Sequence, residues 1–295
     1  METFVLQNFE DYELIDSGDG YKLERFGKYI LARPEPQAIW NKSMSDMEWE
    51  ELYQAKFIRS KEIIASNKDD SGSWHKKPGM PEQWKMKYQY KGVVFNFKLA
   101  LTSFKHIGIF PEQAFNWSYI LDQKTLLEGK KALNLFAYTG AASLAFKASG
   151  ADIVHLDAVK RNIEWGKENM LDSNLKDIRW IVEDAVKFAQ REVKRGNEYA
   201  AIILDPPAYG RGPDGEKWIL ADQLNELLSL CNKLLIKKDC LFIINLYSMG
   251  YSVTMLETLV KFNFGNKTQA DKGELVLKDR FGKFLPTGIL YRFKQ

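Results

Sequence analysis

The sequence predicts an α/β protein: a small β-rich N-terminal domain at 1–103, then at 104–295 a doubly wound, mostly parallel sheet of seven strands. Three observations carry this reading. From about residue 113, short apolar runs alternate with amphipathic stretches, the pattern of a parallel sheet with helical crossovers. Three successive apolar runs end in acidic residues, at Asp157, Asp184 and Asp205. The run AIILDPPAYG at 201–210 stops abruptly, because its four apolar residues suit a strand buried on both faces and Pro206 and Pro207 forbid its continuation.

In the N-terminal domain, YELID at 12–16, a turn SGDG at 17–20, and KLERF and KYILA around Gly27 alternate as half-buried strands do. A helix is expected over 45–66, SDMEWEELYQAKFIRSKEIIAS, with Ser45 as its N-cap. The polar, Gly- and Pro-bearing stretch 67–83 reads as an exposed loop. A hairpin over 84–101 turns at Lys91-Gly92 and places Met86, Tyr88 and Tyr90 on one face. In the C-terminal domain, strands at 131–138, 152–157, 178–184, 200–205 and 240–247 alternate with helices near 140–149, 159–173, 185–195 and 217–236, and a further helix follows at 252–262. ELVLKD at 274–279 and GILYRF at 288–293 lie close enough together to complete the sheet as a hairpin.

Composition narrows the function. A chain of 295 residues, 45% of them hydrophobic, builds an ordinary globular core. The net charge of +3 does not by itself argue for nucleic acid, but eleven Lys or Arg against four Asp or Glu lie between Lys56 and Lys105. No apolar run reaches the length of a membrane span, and METFVLQNFEDYE carries acidic residues where a signal peptide carries basic ones, so a cytoplasmic protein without a membrane partner is expected. Cys231 and Cys240 lie in or beside apolar stretches, which fits a reducing compartment and not a disulfide framework. His75, His106 and His155 show no metal-ligand spacing, and no metal is expected. No exposed heptad or apolar stripe marks an oligomer surface.

Asp205 and the carbonyls freed by the two prolines stand at a strand's C-terminal edge, where open α/β sheets bind ligands. With the ring of Tyr209 they suit a planar group bearing N–H donors, such as a nucleobase. The bland alternative is an ordinary Asp-Pro turn. In NLFAYTGAAS at 134–143, Thr139-Gly140 opens a helix whose first N–H groups suit a carboxylate or phosphate, although a small-residue helix packed on a sheet reads the same way. The three glycines of the dinucleotide fingerprint are absent. Asp157, 17 residues after Gly140, is spaced to accept from ribose hydroxyls, and Glu183-Asp184 to receive an adenine amino group. Three acidic strand ends in order favour a ligand over chance.

Together NLFAYTG, the Asp157 strand end, VEDAVKF and ILDPPAYG resemble the class I S-adenosylmethionine-dependent methyltransferases, specifically the bacterial group around the large-subunit 23S rRNA base methyltransferases. FKHIGIFPEQAFNW at 104–117 is similar to that group's cofactor-flanking segment. The resemblance covers 104–295 closely and the N-terminal domain only loosely. It implies a Rossmann-like seven-stranded sheet and S-adenosyl-L-methionine as cofactor. It also implies cofactor contacts at Phe110, Glu112 and Gln113; at Asn134, Phe136, Tyr138, Thr139 and Gly140 for the methionine part; at Asp157 and Ala158 for the ribose; and at Asp184 and Ala185 for the adenine. Asp205, Pro206, Pro207 and Tyr209 fall beside the transferred methyl. Two departures matter. Cytosine-5 methylation needs a cysteine nucleophile, and where the related enzymes carry it this chain reads NLYSMG at 245–250. The aromatic also stands one place later than in the Asp-Pro-Pro-Tyr motif of amino-methylating enzymes.

The expected reaction is therefore direct displacement by a nitrogen of a base in ribosomal or other structured RNA, with Asp205 and the Pro206 carbonyl accepting from the acceptor amine, Tyr209 stacking on the base and Arg211 contacting the substrate. Lys76, Lys77, Lys85 and Lys87, interleaved with aromatics, give the N-terminal domain the composition of a single-stranded RNA platform. Alternating lysines and tyrosines also describe a hairpin with one wet and one buried face. A protein or small-molecule acceptor, an RNA-binding protein with an inactive fold, and a nicotinamide-dependent oxidoreductase are the rival readings. The missing glycines and the DPP run speak against the last.

Overall fold

A computed structural model describes residues 2–6, 9–59, 72–247, 250–267 and 269–295. The chain divides into two compact units, one made of Met1–Phe4, Gln113–Leu275 and Thr287–Gln295, the other of Val5–Glu112 and Val276–Pro286. Strand β1 is Glu2–Val5.

The second unit carries a five-stranded sheet, β2 (Tyr12–Gly18), β3 (Tyr21–Phe26), β4 (Tyr29–Pro34), β5 (Ala55–Arg59) and β6 (Gly72–Lys76), in that spatial order. It also carries the hairpin β7 (Gln83–Tyr90) and β8 (Val93–Ala100). The hairpin turns where expected, with Lys91 at φ +46° and Gly92 at φ +83°, the left-handed pair that matches strand twist. Trp84, Met86 and Tyr88 are buried on one face of β7 and Lys85 and Lys87 are exposed on the other. Ser45 caps the helix Asp46–Leu52 through a capping box with Glu48. Asp16, fully buried, gathers that region by accepting from the backbone of Ser43 and Met44, from Trp49 Nε1 at 2.9 Å and from Lys283 Nζ at 2.7 Å.

Two expectations fail here. The helix ends at Leu52 instead of 66, because Ala55 and Phe57 alternate with Lys56 and Ile58 and pair with β4 and β6. Strand pairing that buries Phe57 fully outweighs local helical propensity. The loop expected at 67–83 contains strand β6; residues 60–71 of that helix and loop lie outside the described residues.

The first unit is built on an eight-stranded sheet. To β1 it adds β9 (Lys131–Leu135), β10 (Asp152–Asp157), β11 (Arg179–Val182), β12 (Ala201–Leu204), β15 (Leu241–Leu246), β16 (Ala270–Lys278) and β17 (Phe284–Lys294), in the order β1-β16-β17-β15-β12-β9-β10-β11. The short strands β13 (Tyr209–Arg211) and β14 (Lys217–Ile219) form a separate hairpin. The seven expected strands are all present, and Glu2–Val5 is an eighth at the edge. Strands β9, β10, β11, β12 and β15 pair in parallel and β17 runs antiparallel to β15. The order runs outward from β9 in both directions, so the chain reverses its winding between β9 and β12. In open α/β sheets ligands bind at such a switch point, beyond the strands' C-terminal ends.

Helices Ala141–Ala148, Lys160–Asp172, Ala185–Lys194, Leu220–Leu234 and Val253–Phe264 connect or follow these strands. In Leu220–Leu234 the residues Leu224, Leu227, Leu228, Cys231 and Leu234 are buried at helical spacing against the sheet. This helix was expected to start at 217, but Lys217–Ile219 is strand, paired with the unforeseen Tyr209–Arg211. Among the described residues no helix is long and apolar enough to cross a membrane, and no group of three or more His, Cys, Asp or Glu is arranged to hold a metal.

Candidate active site

Register brings the site together. Leu135 lies beside Leu156 on one side and Leu204 on the other, and Leu204 lies beside Ile244. Phe136, Asp157, Asp205 and Asn245 therefore stand at one level, at or just beyond the C-terminal ends of their strands, around the switch point.

The turn after β9 is held in an unusual conformation. Phe136 (φ +56°), Tyr138 (φ +51°) and Gly140 (φ +90°) are all left-handed. Only glycine adopts this freely; each of the other two costs on the order of 1–3 kcal/mol and persists because neighbours impose it. Tyr138 donates its N–H to Asp157 Oδ2 at 2.8 Å, Ala137 donates to the Leu156 carbonyl at 3.0 Å, and Asn169 Nδ2 donates to the Thr139 carbonyl at 2.9 Å. Gly166 lets the next helix pass beneath, since a Cβ there falls 2.7 Å from Trp180. Thr139 and Gly140 thus deliver the chain into Ala141–Ala148, a helix that no side chain caps among the described residues. Its first N–H groups are oriented for an anionic group.

Asn134 is buried, and its Nδ2 donates to Ser143 Oγ, 3.0 Å from His155 Nδ1. This chain ties β9, the helix and β10 together beneath the turn. Burial lowers the His155 pKa to about 3, which makes it a neutral core group and not a proton carrier.

Asp157 is 7% exposed; Oδ1 accepts from Val159 N at 2.8 Å and Asn162 Nδ2 at 3.0 Å, while Oδ2 takes the Tyr138 N–H. Burial raises its pKa, against the lowering effect of those bonds. Ala158 beside it is half-buried. Asp184 caps Ala185–Lys194 by accepting from Val186 N and Lys187 N with Oδ1 alone. Its Oδ2 makes no hydrogen bond among the described residues. Ala185 is buried behind it. Glu183, by contrast, is engaged by the Arg191 guanidinium, Nη1 to Oε1 at 2.5 Å.

Asp205 Oδ2 accepts from Gln113 Nε2 at 3.0 Å. Pro206 is buried and Pro207 exposed. The Pro207 carbonyl is taken by Trp218 Nε1 at 2.6 Å, whereas the Pro206 carbonyl makes no hydrogen bond among the described residues. The chain then runs into β13, whose pairing Tyr209↔Ile219 and Arg211↔Lys217 puts Tyr209, Arg211 and Lys217 on one face. All three are exposed, Tyr209 at 76%. Trp218 on the opposite face is 3% exposed and packs on Phe136, ring centroids 4.8 Å apart.

The sequence of the S-adenosylmethionine-dependent methyltransferase family matches residues 66–262. The chain belongs to that family. A crystal structure of the S-adenosylmethionine-dependent methyltransferase from Agrobacterium tumefaciens is 35% identical, with a TM-score of 0.90 over 100% of this chain and 93% of that one. A Streptococcus mutans S-adenosylmethionine-dependent methyltransferase shares the fold at 16% identity, with a TM-score of 0.71 over 97% of this chain and 76% of that one. Among curated relatives, the ribosomal RNA large subunit methyltransferase K/L of Pseudoalteromonas translucida is 32% identical over 38% of this chain and 16% of its own length. That of Shewanella baltica is 29% identical over 59% of this chain and 24% of its own length. The chain thus spans a quarter or less of these two relatives.

As a methyltransferase the protein uses S-adenosyl-L-methionine, and the residues at these strand ends fit that group: a helix start without a side-chain cap and an Asp184 Oδ2 without a hydrogen bond, both among the described residues, and a buried carboxylate at the end of β10. Of the residues named from sequence, Gln113, Asn134, Phe136, Tyr138, Thr139, Gly140, Asp157, Ala158, Asp184, Ala185 and Asp205 belong to this unit. Phe110 and Glu112 belong to the other, where the Phe110 ring lies 5.2 Å from that of His106 and burial pushes the Glu112 carboxyl up. Lys76, Lys77, Lys85 and Lys87 are in that unit too; Lys76 pairs with Glu82, and Lys77 bonds to the Glu50 carbonyl and lies over the Tyr53 ring. Sequence reasoning missed Asn116, Asn245 and Trp218. The one available signal was an asparagine set next to last in the otherwise apolar strand LFIINL.

Proposed function

We propose that this methyltransferase modifies a nitrogen of a base in structured RNA, with ribosomal RNA favoured. The observation that carries the proposal is the pairing of Asp205 and the Pro206 carbonyl with a projecting hairpin that shows Tyr209, Arg211 and Lys217 on one face. Two acceptors suit the N–H groups of an exocyclic amine, an exposed ring suits an unstacked base, and two cations suit its phosphates. The curated relatives named above are ribosomal RNA methyltransferases, which supports the same acceptor. A cytoplasmic location follows from such an acceptor.

In this reading the N–H groups at Ala141–Ala148 receive the cofactor's carboxylate, Asp157 with Ala158 the ribose hydroxyls, and Asp184 with Ala185 the adenine. S-adenosyl-L-methionine supplies an electrophilic sulfonium methyl; the acceptor's lone pair forms the new C–N bond as the C–S bond breaks, its electrons staying on sulfur. Asp205 and Pro206 hold the amine with its lone pair aimed, and its surplus proton leaves to solvent. Positioning of this kind supplies up to about 7–11 kcal/mol of barrier lowering. A covalent cytosine mechanism is disfavoured, because burial raises the Cys231 thiol to about 12 and also raises Cys240.

The test is transfer of labelled methyl from S-adenosyl-L-methionine to total RNA from a strain lacking the gene, with Asp205→Ala as control. Label in RNA that depends on Asp205 supports the proposal and lets nuclease mapping name the base. No label, with cofactor binding intact, refutes it in favour of a protein or small-molecule acceptor.

A further inference from the structure

The polar network behind Asp205 has a direction fixed at both ends. Arg292, 6% exposed, can only donate; it is held by Asp271 Oδ2 at 2.8 Å and lies over the Tyr119 ring, 3.6 Å from its centroid. Its Nη1 donates to Asn116 Oδ1 at 3.5 Å, which turns the other end of that amide, Nδ2, toward Gln113. Gln113 Oε1 accepts from Asn116 Nδ2 at 3.0 Å and from Asn245 Nδ2 at 2.7 Å. Asn116 Nδ2 also reaches Asn245 Oδ1 at 3.3 Å. With its oxygen so occupied, Gln113 presents Nε2 to Asp205. An ionised carboxylate can only accept. A donor-only group at one end and an acceptor-only group at the other leave each amide a single orientation that satisfies its neighbours. Asn116 and Asn245 are 0% and 1% exposed, so water cannot repair a flipped amide.

We propose that Gln113 is a positioning residue: Asn116 and Asn245 lock its amide, and the amide holds Asp205 in the one rotamer that serves the acceptor. This assigns the Gln113 amide to the protein and not to the cofactor. It rests on the reading of Asp205 given above.

Three measurements on the full chain test it: single-turnover methyl transfer to total RNA from a strain lacking the gene, S-adenosylhomocysteine binding by calorimetry, and the crystal structure of the Gln113→Leu variant. Gln113→Leu is expected to slow transfer by about ten-fold or more while the S-adenosylhomocysteine Kd stays within about three-fold. In its crystal structure Asp205 leaves the wild-type rotamer. Gln113→Glu supplies a conservative rescue. Protonated, its carboxyl offers one donor to Asp205 and one acceptor to the two asparagines, as the amide does; ionised, it opposes Asp205. The charged groups along this network are Asp205, after β12, Arg292 on β17 and Asp271 on β16. The ratio of Gln113→Glu to wild-type rate is therefore expected to fall about ten-fold or more as pH rises from about 6 to about 9. A pH-independent ratio, a rate loss that tracks weakened S-adenosylhomocysteine binding, or an Asp205 that keeps its rotamer in Gln113→Leu overturns the proposal. If wild-type protein labels no RNA, the RNA reading fails, and the Asp205 rotamer still decides the role of Gln113.

Discussion

Trp218 donates its indole N–H to the Pro207 carbonyl at 2.6 Å while its ring packs on Phe136, so one buried side chain joins the turn after β9 to the turn after β12. The two roles can be separated. Trp218→Phe keeps a ring against Phe136 and removes the hydrogen bond to the exposed Pro207, a cost of about 0.5–1.5 kcal/mol. Trp218→Ala also removes the ring, for about 3–5 kcal/mol. Chemical denaturation is expected to rank them in that order, and Trp218→Phe is expected to lower the rate of transfer several-fold with cofactor affinity nearly unchanged.

Asp205→Ala separates binding from transfer. The carboxylate bonds to Gln113, and the cofactor is assigned chiefly to Ala141–Ala148, Asp157 and Asp184. Calorimetry with S-adenosylhomocysteine is expected to find affinity within a few-fold of wild type, and single-turnover assays to find transfer abolished. Wild-type turnover in Asp205→Ala refutes the assignment.

Asp157 links cofactor binding to pH. Burial raises its pKa above the ordinary 3.8. For stability, a raised acid pKa means that its contribution is full below the ordinary value and is lost as pH rises through the folded value. For the cofactor the sign is opposite, because only the ionised carboxylate accepts from both ribose hydroxyls. S-adenosylhomocysteine affinity is expected to fall as pH drops through that raised value, and Asp157→Asn to bind about ten-fold more weakly with a flatter pH profile. Calorimetry over a pH series checks both.

His155 acts in the other direction. Its pKa falls from 6.5 to about 3 on burial, so below 6.5 the unfolded chain takes up a proton that the native protein refuses. Stability from this group is whole above 6.5 and is lost as pH falls toward about 3. Replacing it by Phe is expected to flatten the decline of Tm between about pH 7 and pH 4, whatever it does to Tm at neutral pH. A decline as steep as wild type's excludes His155 as its source.

Much of this was legible because apolar runs and their acidic ends are local signals. ILDPP fixes a strand, its stop and a carboxylate in five residues, and Asp157 and Asp184 stand where the strand pattern places them. The failures share a cause in pairing over distance. Ala55–Arg59 continues a helical pattern but is claimed by β4 and β6, and Lys217–Ile219 is drawn from its helix by Tyr209–Arg211. Glu2–Val5 is a short edge strand with no stop signal of its own. The Asn116–Gln113–Asn245 network was invisible because Asn245 lies more than a hundred residues from the other two and an isolated asparagine announces no partner.

The outer face of the hairpin gives the acceptor reading its electrostatic test. Each phosphate contact releases bound counterions, so the logarithm of RNA affinity falls with the logarithm of salt by roughly 0.7 per contact for single strands. Arg211 and Lys217 stand opposite each other on that face, and neither anchors the fold, since the hairpin is held from its other side by Trp218. Arg211→Ala and Lys217→Ala are each expected to weaken binding of the methylated RNA and to reduce the salt slope by roughly one contact's share. Tyr209→Ala is expected to cost about 1–3 kcal/mol of affinity and to leave the slope alone, because stacking moves no counterions. Fluorescence anisotropy across a salt series separates the two effects, and a slope unchanged in the Arg211→Ala, Lys217→Ala double variant removes the hairpin from the RNA interface.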